Sequence, residues 1–254
     1  MSLHETPKIT VIIPNYNHAN LIENAIDSIV NQTYLNKKIC IIDNGSNDNS
    51  AQKIFDLLNN KKECENKNIP YISGFYKNSN LEIFLIACKN HKNVSFARNL
   101  GITLCFDNTD IFSFLDADDE YLDNKILESC KILLNGWGSI GCVYSDHIEN
   151  NNNIKSYKNK IPFNAKINYL NNEITSNSLI PKYVFEKIGM FNENFEVYEN
   201  NELSLRLSKY FIGYHIPKKL YKVNIGKHSL TEYISKYKLF KNKMFLQEII
   251  VDEQ

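Results

Sequence analysis

Apolar and polar positions fall into alternating blocks along the first half of the chain. Residues 8–14 (KITVIIP), 38–42 (KICII), 81–88 (LEIFLIAC), 111–115 (IFSFL) and 139–144 (SIGCVY) are short, nearly continuous apolar runs. Runs of this length, rich in β-branched residues, predict strands buried on both faces of a parallel sheet. The blocks between them carry a longer period. Over 20–31, Leu21, Ile22, Ala25, Ile26, Ile29 and Val30 fall on one helical face, and Asn20 is the expected N-cap. The turn-forming stretch 44–50 (NGSNDNS) precedes a second helix to about 58. Asn93 opens a third to about 105, with Ala97, Leu100, Ile102 and Leu104 toward the core. Asp123 is the expected cap of a fourth, running to Leu134 and closed by Gly136. Segment 59–80 is polar, contains Pro70 and Gly74, and reads as a surface excursion with room for short strands.

A β-α-β alternation of this kind predicts an α/β fold with a Rossmann-like, mainly parallel sheet and right-handed crossovers. It brings the strand ends carrying Pro14, Asp43 and Asp116 to one edge of the sheet, where such folds bind ligands.

After Asn150 the pattern changes. An asparagine turn leads into polar, irregular sequence over 155–175. A short helix over 181–188, closed by Gly189, and an amphipathic helix over 199–210 follow, the latter with Leu203 and Leu207 on one face. Short strands are expected at 211–215 and 220–223, then a terminal helix over 230–250. With no repeat and no Gly/Ser linker, the expected organisation is one domain over 1–229 and a helical extension over 230–254.

Composition narrows the partners. Lys plus Arg equals Asp plus Glu at 29 each, so the chain has no global basic field and nucleic acid is not an expected partner. The six cysteines form no C-x-x-C pair; Cys40, Cys105 and Cys142 lie in or beside apolar runs, as buried reduced thiols do. The opening MSLHETPK is not a signal peptide, and no apolar stretch nears the roughly 20 residues that span a bilayer. A cytoplasmic setting follows as the expectation. In the terminal helix, Lys236, Lys238, Lys241 and Lys243 interleave with Tyr233, Tyr237, Phe240 and Phe245. That pattern suits a packed helix with a solvated lysine face, peripheral contact with the inner face of an anionic membrane, or a homodimer contact.

The stretch 111–121 (IFSFLDADDEY) carries the clearest chemistry. An apolar strand runs directly into Asp116, Asp118, Asp119 and Glu120. Carboxylates held this close repel unless a cation, hydrogen bonds or solvent relieve them. Two readings stand: a divalent metal site serving a phosphorylated ligand, or an acidic turn that caps the next helix.

Set beside its neighbours, that stretch completes an ordered series. VIIPNYN and NQTY (31–34), then IIDNGSNDNS, NVSFARNLGI, FLDADDEYL, VYSD, VFEKIGMFNENFEVYENNELSLRL and GKHSLT follow one another across roughly 9–231. Together they resemble family 2 glycosyltransferases of the GT-A fold. The resemblance implies an inverting enzyme that moves a sugar from a nucleotide diphosphate sugar, with UDP expected, to an acceptor hydroxyl. The acceptor would be a cell-surface glycan or its lipid-linked precursor, and the transferred group a hexosyl or N-acetylhexosaminyl unit. A nucleotidyltransferase would need a Gly-rich basic loop after the first strand, and the sequence has none there.

Residue by residue, Pro14, Asn15 and Tyr16 match the nucleotide-binding loop, and Asp43 the acid that reads the base. Arg98 matches the arginine of the A-R-N segment, either near the nucleotide or in a buried ion pair. Asp116 and Ala117 would lie by the ribose. Asp118, with His228 of GKHSLT, would hold Mn²⁺ or Mg²⁺, which suit oxygen ligands. The family's proton acceptor is an Asp at the start of the E-D-x-x-L helix, and Asn200 occupies that position. An amide is no general base. Glu199 is the first substitute, Glu202 the second and Asp146 a more distant one. A binding module that keeps the donor pocket without the chemistry is the alternative.

Overall fold

The computed structural model describes residues 6–77, 79–122, 124–151, 154–158 and 177–225. Strands β1 (Ile9–Asn15), β2 (Lys37–Asp43), β5 (Glu82–Ala87) and β6 (Ile111–Phe114) form a parallel centre in the order β5-β2-β1-β6. Their carboxyl ends share one edge, as the strand pattern predicts. On one flank lie β3 (Leu58–Asn66) and β4 (Ile69–Tyr76). On the other, β10 (Leu179–Pro181) runs antiparallel between β6 and β8 (Ile140–Asn151), so β8 points the same way as β6. β11 (Ile212–Asn224) pairs with β8 in parallel and with the two-residue β7 (Glu120–Tyr121) antiparallel; β9 (Ile154–Lys158) pairs with β8.

Alternation along the central strands sends side chains into two separate cores. Val11 and Ile13 join Ile39 and Ile41 beneath α1 (Ile22–Val30), α2 (Ser50–Asp56) and α4 (Lys125–Asn135). Ile12 joins Cys40, Ile42, Phe112 and Phe114 on the opposite face, covered by α3 (Val94–Cys105), α5 (Lys182–Ile188) and α6 (Glu199–Ser208). These strands are continuous apolar runs because both faces are covered. Truncating one of their isoleucines to alanine costs about 2–5 kcal/mol. Gly101 permits the close approach of α3 to β1: a Cβ there would sit 2.9 Å from Ile12 Cγ2.

Several elements differ from the sequence pattern. Segment 59–80 carries a long antiparallel hairpin instead of short strands at the surface; β3 exposes most of its polar residues and is anchored by its ladder to β4, by Leu58 in the core and by Asn66 Nδ2 donating to Leu104 O at 2.9 Å. Asn20 does not cap α1. The N-cap is Leu21, and the peptide groups of Leu21 and Ile22 donate to His18 O. The preceding turn is fixed by tertiary contacts instead, with Ala19 N donating to Asp48 and Lys53 donating to Ala19 O, each at 2.8 Å. Helix α4 starts after Asn124, whose side-chain oxygen accepts from Thr33; Asp123, the expected cap, lies outside the described residues. The two strands expected at 211–215 and 220–223 are one, irregular around Pro217. The terminal helix, His228 and segment 159–176 lie outside the described residues. Among the described residues, all six cysteines are free thiols and no helix is long and apolar enough to cross a membrane.

Candidate active site

The carboxyl ends of β1 and β2 form the first part of the site. Asn15 and Asp43 are register partners and both are buried. Asn15 Nδ2 donates to Asp43 Oδ2 at 2.7 Å, and Ser46 N donates to Asp43 Oδ1 at 3.1 Å. Asn15 Oδ1 is buried with no hydrogen-bond partner, an acceptor left over. Gly45 makes the turn after Asp43 with φ of +82°, and a Cβ there would meet His91 N at 2.6 Å. His91 in turn stacks on the partly exposed Tyr16, ring centroids 3.9 Å apart. An acceptor-only carboxylate beside an aromatic pair suits a planar ring that carries an N–H donor. Pro14 is half-buried just below this group.

The second part joins three elements. Arg98 of α3 is almost wholly buried. It donates to Asp116 Oδ1 at 3.1 Å, at the end of β6, and to Glu199 Oε1 at 2.7 Å, at the start of α6. Its Cζ lies 5.3 Å from the Phe191 ring centroid, and its Nε is buried without a partner. Burial pulls its pKa down, but Asp116 and Glu199 outweigh that and hold it above the ordinary arginine value. Arg98 is thus an ion pair with one partner, Asp116, at the ligand edge.

The acids after Asp116 are held differently. Ala117 buries its methyl in the core, so only its backbone faces the edge. Asp118 is pushed above the usual carboxylate range by burial and by Asp116, with His18 opposing. Asp119 is pushed well above it by burial, then by Asp118 and Asp116. Asp119 accepts from Tyr221 OH at 2.8 Å and from Asn224 N at 3.0 Å, and Asn224 Nδ2 donates to Asp118 O at 2.7 Å. Strand β11 therefore shapes the acidic turn, and Asp119 serves that structure. Among the described residues, no three His, Cys, Asp or Glu side chains converge as a ready ligand set.

At the start of α6, Asn200 Nδ2 donates to Glu199 Oε1 at 3.1 Å, the same oxygen that Arg98 holds. Glu202 points elsewhere. Arg206 grips it with Nε at 2.5 Å and Nη2 at 2.7 Å and also donates to the carbonyls of Ile188 and Met190. Those bonds cap the end of α5, so Glu202 anchors one helix to another. Midway along β8, Asp146 Oδ1 lies 2.7 Å from His215 Nε2 on β11.

The site therefore gathers Asn15, Tyr16, Asp43, Arg98, Asp116 and Asp118 along one sheet edge, as the sequence implies, with Glu199 beside them. The family model "Glycosyl transferase family 2" matches residues 10–198. The chain belongs to that family.

The glycosyltransferase is 30% identical over 143 residues to the chondroitin synthase of Pasteurella multocida (strain Pm70), covering 56% of the chain but 12% of that protein. It is 26% identical over 266 residues to an uncharacterized glycosyltransferase of Rickettsia typhi, covering 97% of the chain and 75% of the relative. Its fold matches Staphylococcus aureus TarS 1-349 in complex with UDP-GlcNAc at a TM-score of 0.66, with 13% identity over 90% of this chain and 61% of that one. It also matches the mannosyltransferase PcManGT from Pyrobaculum calidifontis in complex with GDP-Man and Mn²⁺, at a TM-score of 0.63 and 14% identity over 91% and 60% of the two chains. The architecture is the GT-A fold.

Four side chains of the site region had no sequence signal of their own: His18, His91, Phe191 and His215. Each lies outside the acidic runs and reaches its partner only through the packing of separate elements.

Proposed function

We propose that this glycosyltransferase transfers a sugar from a nucleotide diphosphate sugar, with UDP as the nucleotide, to a hydroxyl of a glycan or lipid-linked acceptor. The observation that carries the proposal is the shared carboxyl edge of β1, β2 and β6, where Asn15 and Asp43 stand beside Arg98 and Asp116. Asp43 with the Tyr16–His91 pair takes the nucleobase, Asp116 the ribose, and Asp118 faces the diphosphate. UDP-GlcNAc in the TarS complex supports a UDP donor for a chain of this fold.

The acidic turn also fits a divalent cation. Asp118 is a half-buried oxygen donor whose charge is disfavoured by desolvation and by Asp116, with no lysine or arginine among its described ion pairs. Asp118 would hold Mn²⁺ or Mg²⁺ together with oxygens of the ligand's diphosphate. Bound there, the cation would offset the charge that builds on the departing diphosphate. Asn224 Nδ2 holds the end of β11 to the backbone of Asp118. The rest of the site binds and orients: Arg98 fixes Asp116, and Asn15 with Ser46 fixes Asp43 in the orientation a base N–H meets.

One observation favours a second reading, a donor-binding module without turnover: Asn200 stands where the family carries a carboxylate. Two measurements separate them. UDP binding by calorimetry in Mg²⁺ tests the pocket, and nucleoside diphosphate release from a panel of UDP-sugars with Mn²⁺ tests the transfer. No binding of UDP sinks both. Binding without release from any donor, unchanged by Asn200→Asp, leaves the module.

A further inference from the structure

The acceptor hydroxyl must lose its proton during transfer, and the acids at α6 are committed elsewhere. Glu199 balances the buried Arg98, and Glu202 is gripped by Arg206. Protonating either would strand an arginine. We propose that His215, held by Asp146, takes the acceptor proton, an inference that rests on the transfer reading above.

Placement supports it. Leu179 of β10 is paired with Ser113 of β6 on one side and Val143 of β8 on the other. Asp116 and Asp146 each follow three residues later on strands that point the same way. They therefore stand level, two strand spacings or about 10 Å apart, Asp116 just past the end of β6 and Asp146 midway along the longer β8. They also share a face. Phe112 and Phe114 precede Asp116 by even steps, Tyr144 precedes Asp146 by two, and all three rings lie in the core beneath α3, α5 and α6. His215 stacks on Tyr144, centroids 5.4 Å apart, which puts it on that face too. This is the face on which α6 presents Glu199 and Asn200.

The chemistry follows from the 2.7 Å contact between Asp146 Oδ1 and His215 Nε2. A carboxylate there keeps the proton on Nε2 and leaves the Nδ1 lone pair bare. No hydrogen bond occupies Nδ1 among the described residues. As the acceptor oxygen bonds to the anomeric carbon, its proton passes to Nδ1. The bond from that carbon to the diphosphate oxygen breaks, and its electron pair leaves with the nucleoside diphosphate. Asp146 stabilises the imidazolium that forms. Among the described residues, the charged groups packed around the dyad include Lys219, which is Asp146's register partner on β11, the His147–Glu149 pair on β8, and Lys125 of α4 through Ser145.

The test uses the full chain. Imidazole ¹⁵N spectra at pH 8 are expected to show His215 protonated at Nε2, a mixed tautomer in Asp146→Asn, and shifted His215 resonances on adding UDP-GlcNAc with Mg²⁺. In the release assay, His215→Gln is expected to lower kcat about 100-fold or more with the donor KM nearly unchanged. The acid limb of the pH profile disappears in His215→Gln and persists in Glu199→Gln. A His215→Gln enzyme with wild-type kcat, a protonated Nδ1 in the free chain, or His215 resonances that stay fixed while UDP-GlcNAc binds overturns the proposal alone. Absence of UDP binding in calorimetry overturns the donor reading, and the dyad's role falls with it.

Discussion

The acids around the site fall into two groups with opposite surroundings. Glu199 and Glu202 each face an arginine supplied by the fold, Arg98 and Arg206. Asp118 and Asp119 face each other and Asp116, and burial raises both. The first group is balanced before any ligand arrives. The second meets no lysine or arginine in an ion pair among the described residues. Lys125 is the mirror image on the basic side. It is fully buried, its ammonium meets among the described residues only Ser145 Oγ at 3.5 Å and the Tyr121 ring at 5.5 Å, and burial brings its pKa down to about 7.

Breaking the balanced group has the largest effect. Arg98→Met strands Glu199 and Asp116, and denaturant unfolding is expected to show a loss of about 3–5 kcal/mol. Adding Glu199→Gln should return part of it; a single variant as stable as wild type would mean that the pair is not the anchor described.

In the second group, Asp118→Asn should reduce nucleoside diphosphate release by about 10²–10³-fold while thermal stability stays level or rises. The rise follows because the variant removes a carboxylate that the folded state disfavours. Release that is unaffected would remove Asp118 from the diphosphate site.

Lys125→Met should stabilise the chain by about 2–4 kcal/mol near pH 6, and less as pH climbs from about 7 toward 10.5. The sign follows from a folded pKa below the unfolded one. Between the two values the unfolded chain holds the extra proton, so the wild type gains stability with rising pH and the variant's advantage shrinks. Melting curves at pH 6 and 10 give the comparison, and a pH-independent difference would count against a buried ammonium.

The smallest effect is expected at Glu202. Glu202→Gln weakens its grip on Arg206 and should lower stability by about 1–3 kcal/mol, with kcat within about threefold, as suits a helix anchor. A large loss of kcat at full stability would return Glu202 to the catalytic candidates.

Much of the donor side was legible in the sequence. Asp43 and Asp116 each end an apolar run, so binary pattern alone placed them on one edge. The hairpin β3–β4 was not legible, because a strand with one solvated face and Lys, Asn and Glu along it carries no apolar period. Strand β10 has three residues beside a proline, too short for any pattern. Helix starts were misplaced at Asn20 and Asp123 because side chains from other elements, Asp48 and Lys53 in the first case and Thr33 in the second, fix those turns.

The sequence by itself determined the strand runs, their order and the acids at their ends, since alternation and turn residues act over a few positions. Only the tertiary structure decided which acids keep their charge balanced. Arg98 meets Glu199 across 101 positions and His215 meets Asp146 across 69, and such pairings exist only once α3, α6, β8 and β11 pack around one sheet edge. The neighbour, Arg98 for Glu199 and Asp116 for Asp118, then separates two carboxylates that the sequence presents as the same chemistry.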